Sequence, residues 1–208
     1  MIEYIIAQNP DDRILKRACD FLREGKLICF PTDTNWVVVC DPFNKKAVED
    51  LYKFKGVGPF KHFSLLCANI SSATEVAIID DNAFRHIKRV IPGNYTFIFE
   101  ASKMVSKNLK ASKSDKEIGL RFPPSDVALK LLQVYGKPVL STNVTPVQLE
   151  VAPDFPIYSE LINDKFSHVI AMILDPGEIE FVGRSTIIDF SKGTATLVRM
   201  GAGENFLE

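Results

Sequence analysis

The chain alternates between short apolar runs and polar clusters, and the period of each run indicates its element. Leu27-Ile28-Cys29-Phe30 is an apolar run of strand length. Pro31, which cannot donate to a strand ladder, closes it. Thr32, Asp33 and Thr34 follow, and the apolar run Val37 to Cys40 resumes after Trp36. The pattern predicts two strands joined by a compact polar crossing. Its side-chain oxygens either satisfy their own turn or line a site. Upstream, Ile2 to Ala7 reads as a strand, and Asn9-Pro10-Asp11-Asp12 as a helix start. Ile14, Leu15, Ala18, Phe21 and Leu22 then recur on one helical face, up to Gly25.

Downstream, a second helix starts at Asn44 and places Val48, Leu51 and Tyr52 inward. Phe63 to Ala68 reads as a strand, Ser71 to Ala77 as a short helix and Asp81 to Val90 as a longer one. Pro92-Gly93-Asn94 predicts a turn before the strand Tyr95 to Phe99. Ile118 to Phe122 is a strand carrying Arg121 in an apolar setting. A helix follows to Tyr135, then the strand Pro138-Val139-Leu140 runs into polar Ser141-Thr142-Asn143. Val147 to Phe155 reads as a loop, Tyr158 to Phe166 as a helix and His168 to Leu174 as a strand. Ser185 to Phe190 and Thr194 to Met200 predict a closing hairpin. Strands exceed a strict β-α-β alternation, so the expected fold class is α+β. A mixed, twisted sheet is flanked by helices in a single domain over residues 1–208.

Composition narrows the function classes. A net charge of -1 gives no global basic signal for nucleic acid, so such contact needs a local patch. Two candidates exist. Lys53, Lys55, Lys61 and His62 surround the glycine segment 56–58, which is either a phosphate-holding loop or a solvated one. The segment 103–116 carries five lysines, either for solubility or to guide an anionic ligand or RNA backbone. Arg121 calls for an anionic partner, internal or bound. Cys19, Cys29, Cys40 and Cys67 lack a CxxC spacing and read as reduced core thiols, which points to the cytoplasm. No signal peptide is evident, and no apolar run approaches the ~20 residues of a membrane span.

Several segments, in order, resemble the YrdC-like family, and within it the YciO type. Phe30-Pro31-Thr32-Asp33-Thr34 resembles its Pro-Thr-(Asp/Glu)-Thr signature. Ile91-Pro92-Gly93-Asn94-Tyr95-Thr96-Phe97 resembles its Pro-Gly turn in the YciO form. Ile118-Gly119-Leu120-Arg121-Phe122-Pro123 resembles Gly-(Val/Met)-Arg-x-Pro, and Ser141-Thr142-Asn143 falls on the start of Ser-Thr-Ser-Ala-Asn. Ser185-Thr186-Ile187-Ile188-Asp189 and the Arg199 segment match the closing motifs. Synthases of this family join threonine, bicarbonate and ATP into threonylcarbamoyl-adenylate for tRNA modification. The resemblance implies that Thr32, Thr34, Ser141 and Ser185 border the substrate, while Lys55, Arg121, Asn143 and Arg199 face the nucleotide. It also implies Mg²⁺ arriving with ATP, no structural cofactor and no protein-held metal. Family members are also associated with double-stranded RNA, so tRNA or duplex RNA is an expected partner class. No residue is singled out as catalytic.

The chain departs from the synthase pattern at several places. Lys-x-Arg reads Lys55-Gly56-Val57, which removes a bidentate phosphate contact. Ser-x-Asn reads Asn143-Val144-Thr145, and Val-Tyr-Gly reads Asn35-Trp36-Val37. Cys67 stands where some synthases have histidine. The resemblance therefore implies binding of nucleotide, RNA or both in a cationic cavity, with weak or altered catalysis. The competing expectation is a double-stranded RNA-binding module without synthase activity. A purely structural role ranks last.

Overall fold

The computed structural model describes residues 1–56, 63–106, 109 and 116–207. In chain order the first elements are β1 (Ile2–Tyr4), α1 (Asp12–Arg23), β2 (Leu27–Pro31), β3 (Trp36–Cys40), α2 (Lys45–Lys55), β4 (Ser64–Leu66) and α3 (Ile70–Ala73). Then come β5 (Ala77–Ile78), α4 (Asp81–Ile87), β6 (Tyr95–Ala101), α5 (Lys103–Ser106), β7 (Glu117–Arg121), α6 (Asp126–Tyr135) and β8 (Val139–Asn143). The chain closes with α7 (Pro146–Leu149), α8 (Ser159–Phe166), β9 (Ile170–Asp175), β10 (Thr186–Asp189) and β11 (Thr196–Arg199).

One sheet runs in the order β1-β9-β2-β3-β8-β4-β7-β6-β10-β11, with β5 paired to β6. It is mixed, as expected. β1–β9, β2–β9, β4–β7 and β6–β10 are parallel, and the other pairs antiparallel. Side chains alternate between its two faces. One face carries Cys29, Val38, Leu65, Phe97 and Leu120, covered by apolar residues of α2, α3, α4, α7 and α8. The opposite face divides. Under β9, β2 and β3 it is aliphatic: Ile28, Phe30, Val37 and Val39 meet Leu15 and Leu22 of α1 and Val127 and Leu131 of α6. Further along, the same face carries Ser64 on β4, Gly119 and Arg121 on β7, Ser141 and Asn143 on β8, and Thr96 on β6.

Local chemistry explains the two covering helices. The Asp11 carboxylate accepts from the Arg13 N–H and caps α1, whose buried Leu15, Ala18, Cys19 and Leu22 recur every three to four residues. Ser125 caps α6, and Gly136 ends it in the left-handed conformation. Three expectations change. The helix expected over Ser71 to Ala77 is the single turn α3, and Ala77 instead opens β5 against β6. The loop expected over Val147 to Phe155 opens with the helical turn α7. There, Pro146 occupies an early helical position and the Gln148 Oε1 accepts from the Thr145 N–H at 3.2 Å. The first strand ends at Tyr4 rather than Ala7 because the partner β9 ends at Asp175. No helix among the described residues is long and apolar enough to cross a membrane.

Candidate functional site

The crossing between β2 and β3 folds onto the polar half of the sheet face. The Thr32 N–H donates to the Asn35 carbonyl at 2.9 Å, which closes the turn. Asp33 and Thr34 then meet Arg121. One Arg121 Nη donates to both Asp33 oxygens at 2.7 and 2.8 Å, and the other donates to the Thr34 Oγ1 at 2.8 Å. The Arg121 and Asp33 side chains are only 7% and 4% exposed. Burial pushes the Asp33 carboxyl above its ordinary value and the Arg121 guanidinium below its own, and the mutual attraction works against both shifts. The Arg121 Nε is buried and has no hydrogen-bond partner among the described residues.

A second cluster adjoins this pair. Thr96 and Ser185 share a hydrogen bond at 2.8 Å between their hydroxyls. One Arg199 Nη donates to the Ser185 carbonyl at 2.7 Å and lies 3.4 Å from the Ser185 hydroxyl. Arg199 is close enough to disfavour the charge on Arg121, and its own Nε is likewise without a partner among the described residues. Two glycines permit this packing. A Cβ on Gly119 would lie 3.1 Å from the Ser64 Oγ and 3.2 Å from the Thr96 Cγ2. One on Gly201 would lie 2.6 Å from the Ser185 carbonyl oxygen, so only glycine lets β11 leave the sheet there.

Lys55 marks the other side of the crossing. Its Nζ donates to the Asn143 carbonyl at 2.7 Å and lies 3.4 Å from the Gln148 Oε1. The Val144 N–H donates to the Trp36 carbonyl at 2.9 Å, which ties this corner to the start of β3. Ser141 is buried and donates to the Ser64 carbonyl at 2.8 Å, while the Asn143 side chain is exposed.

Seven of the eight candidate residues lie on, or at the margin of, one half-face, Ser141 among them through its bond to the Ser64 carbonyl; Lys55, on α2 of the opposite face, reaches the Asn143 carbonyl at the end of β8. Thr32, Thr34 and Arg121 form one contact group, Ser185 and Arg199 a second, and Lys55 and Asn143 a third. Asp33 as the partner of Arg121, together with Ser64, Thr96 and Gly119, was missing from the candidate residues. Thr96 was legible in principle, because it alternates with inward Tyr95 and Phe97. Lys61 and His62 of the first lysine cluster, and Lys107, Lys110 and Lys113 of the second, lie outside the described residues. Lys103 and Lys116 are exposed, and Lys116 is 3.9 Å from Glu100.

A family model for Sua5, YciO and YrdC proteins, described as "Telomere recombination", matches residues 20–201. The chain belongs to the Sua5/YciO/YrdC family. Curated YciO of Escherichia coli K12, described as uncharacterized, is 32% identical, over 97% of this chain and 95% of that protein. The crystal structure of E. coli YciO superposes with a TM-score of 0.84 at 30% identity, covering 98% and 97% of the two chains. Among more distant members, Pyrococcus abyssi Sua5 in complex with L-threonine superposes with a TM-score of 0.80 at 24% identity. That match covers 97% of this chain and 57% of Sua5, and shows a shared fold.

The Sua5/YciO/YrdC frame puts the departures in place. Val37, which the resemblance sets against a glycine of the synthase pattern, is 1% exposed and packs into the aliphatic half beneath α1 and α6. Its bulk joins the core. Trp36 faces the opposite side of the sheet, where its Nε1 donates to the Ile157 carbonyl at 2.9 Å. Cys67 is fully buried, and burial pushes its thiol far above the ordinary range. The four cysteines are buried and free.

Proposed function

We propose that this YciO-type chain binds a nucleotide on the polar half-face, as a relative of the synthases that make threonylcarbamoyl-adenylate, with weak or altered catalysis. The observation that carries the reading is the arginine pair. Asp33 neutralises Arg121, so Arg199 contributes a positive charge beyond the pair. Two buried Nε–H donors and the Ser185 and Thr96 hydroxyls lie within the same cluster. That set suits a phosphate or carboxylate oxyanion, for which fixed donors need no reorganisation. Threonine enters as the second ligand through the likeness to Sua5, whose complex holds it.

Arg121 acts in this reading as a positioning residue. Its guanidinium holds the crossing in place through Asp33 and Thr34, and its Nε–H has no partner among the described residues. The reading of weakened catalysis rests on Lys55. The arginine of Lys-x-Arg is replaced, and the Lys55 ammonium is held by Asn143 and Gln148. Mg²⁺ enters on the phosphates. Among the described residues no group of three or more His, Cys, Asp or Glu converges to hold a metal, and Asp33 is already committed to Arg121. We place the protein in the cytoplasm, where ATP is available and its thiols stay reduced.

The test has two arms. Calorimetry with AMP, ATP and pyrophosphate measures binding. Incubation with ATP, threonine and bicarbonate, followed by pyrophosphate detection, measures catalysis. Saturable binding with slow release is the expected result. No heat with any of the three anions refutes the site, and release at the rate of an established synthase refutes weakened catalysis.

A further inference from the structure

Trp36 replaces a family tyrosine and does not face the proposed nucleotide site. Instead it floors a separate cavity of about 790 Å³, at the ends of β1, β9 and β3. Tyr4, Tyr158 and Phe181 are also in its wall, and all three are exposed, at 65%, 45% and 37%. Large exposed rings converging on one hollow are unusual on a water-facing surface and mark a binding surface. The charged residues among its lining are Glu160, Asp175, Glu178 and Glu180, with no Lys, Arg or His. Asp175 is used internally, since its carboxylate accepts from Ser159 and from the Gly177 N–H. Glu160 accepts from the Tyr4 hydroxyl at 2.5 Å, which anchors that ring to the rim. Glu178 and Glu180 are exposed and have no ion-pair partner among the described residues.

We propose that this cavity binds an organic cation, namely an aliphatic di- or polyamine. Aromatic faces attract ammonium groups through their quadrupole and cover a hydrocarbon spacer. Carboxylates on separate segments of the rim, Glu160 on α8 and Glu178 and Glu180 after β9, suit a molecule carrying more than one ammonium group. A metal ion fits poorly, because rings make up much of the wall and the carboxylates do not converge. Trp36, Tyr158, Phe181 and Glu178 lie outside the nucleotide half-face, while Glu180 also lines a hollow with Thr32 and Asp33, and the Val182 N–H donates to the Asp33 carbonyl at 3.0 Å.

Trp36 is the chain's single tryptophan, so the cavity contains its own reporter. The experiment titrates the full chain with putrescine at low ionic strength and follows tryptophan fluorescence. Sodium chloride at matched ionic strength and a glycyl-lysyl-glycine peptide serve as parallel arms. A saturable change with putrescine is expected, with little response to salt. The Glu178→Gln, Glu180→Gln double variant should weaken putrescine at least about fivefold at low salt. Both residues are exposed, so the variant keeps its fold, which circular dichroism checks. Phe181→Ala should weaken putrescine as well. The proposal is overturned by an absent or salt-equivalent response, or by full affinity in the double variant. Tighter binding of the peptide than of putrescine also overturns it, in favour of a polypeptide partner.

Discussion

The two halves of one sheet face make an internal comparison. Under β2 and β3 the inward positions are aliphatic, and α1 and α6 seal them. Under β4, β6, β7 and β8 the same parity brings Ser64, Thr96, Gly119, Arg121 and Ser141 to this face, while Leu66 and Val139, at the strand ends, still join the aliphatic cluster. The backbone pattern is common to both halves, so it does not set the difference. What differs is whether each inward side chain gains by leaving water. Each Leu or Phe sealed in the first half contributes ~1.5–3 kcal/mol by burial. In the second half, burying Arg121 costs desolvation that Asp33 only partly offsets, and a chain retains such a pair for what it holds in place. On this face apolar burial is concentrated in one half and the buried charged pair in the other.

The sharpest way to break this comparison is to split the buried pair. Arg121→Met leaves the Asp33 carboxylate buried without its partner and should cost about 3–5 kcal/mol of stability by urea unfolding. Adding Asp33→Leu removes the stranded charge and should recover most of that loss. A double variant as unstable as the single one would show that Arg121 stabilises the fold by contacts other than Asp33. Leu131→Ala in the sealed half should cost about 3 kcal/mol by the same measurement, through the cavity it leaves. A loss below about 1 kcal/mol would mean that α6 relaxes into the space, and that the sealed half is less closely packed than its burial indicates.

Much of this division was legible beforehand. The alternation of Val37 and Val39 with Trp36, Val38 and Cys40 gives the two faces of β3 directly. Gly136 and Ser125 mark the ends of α6 by their own conformational chemistry. The mixed sheet followed from strands that outnumber a β-α-β repeat. The Asp33–Arg121 pair was harder to see, because it joins residues 88 positions apart. Sequence shows that Arg121 needs an anion, but not which one. Val37 shows the limit from the other direction. Its replacement of a family glycine suggests a filled cavity, yet alternation turns it into the core. Trp36, one position earlier, turns to the opposite face for the same reason.

A smaller effect separates binding from stability. Arg199 is half-buried and bonds the Ser185 carbonyl from the margin of the open half. Arg199→Gln should weaken pyrophosphate binding about tenfold, as expected for loss of one charge-assisted contact. Its midpoint in urea should move little, since Gln can still donate to Ser185. Unchanged affinity would remove Arg199 from the anion site and leave Arg121 to carry it.

The smallest effect concerns pH and the outer edge of the open half. Burial works to raise the Asp189 carboxyl, but hydrogen bonds from the Ser191 hydroxyl and N–H, with Lys192 nearby, outweigh it and hold the group below its ordinary value. A carboxyl with a lowered folded-state pKa contributes stability that is present above its unfolded-state value, near pH 4, and is lost as pH falls through the folded value. Asp189→Asn keeps an acceptor for the Ser191 N–H but has no charge to lose. The difference in stability between the two proteins should therefore be constant near neutrality and shrink on acidification below about pH 4. Thermal melts of both proteins at stepped pH read that difference. If it stays constant into acid, the turn between β10 and β11 is held by its hydrogen bonds alone, and charge at this edge belongs to the arginines.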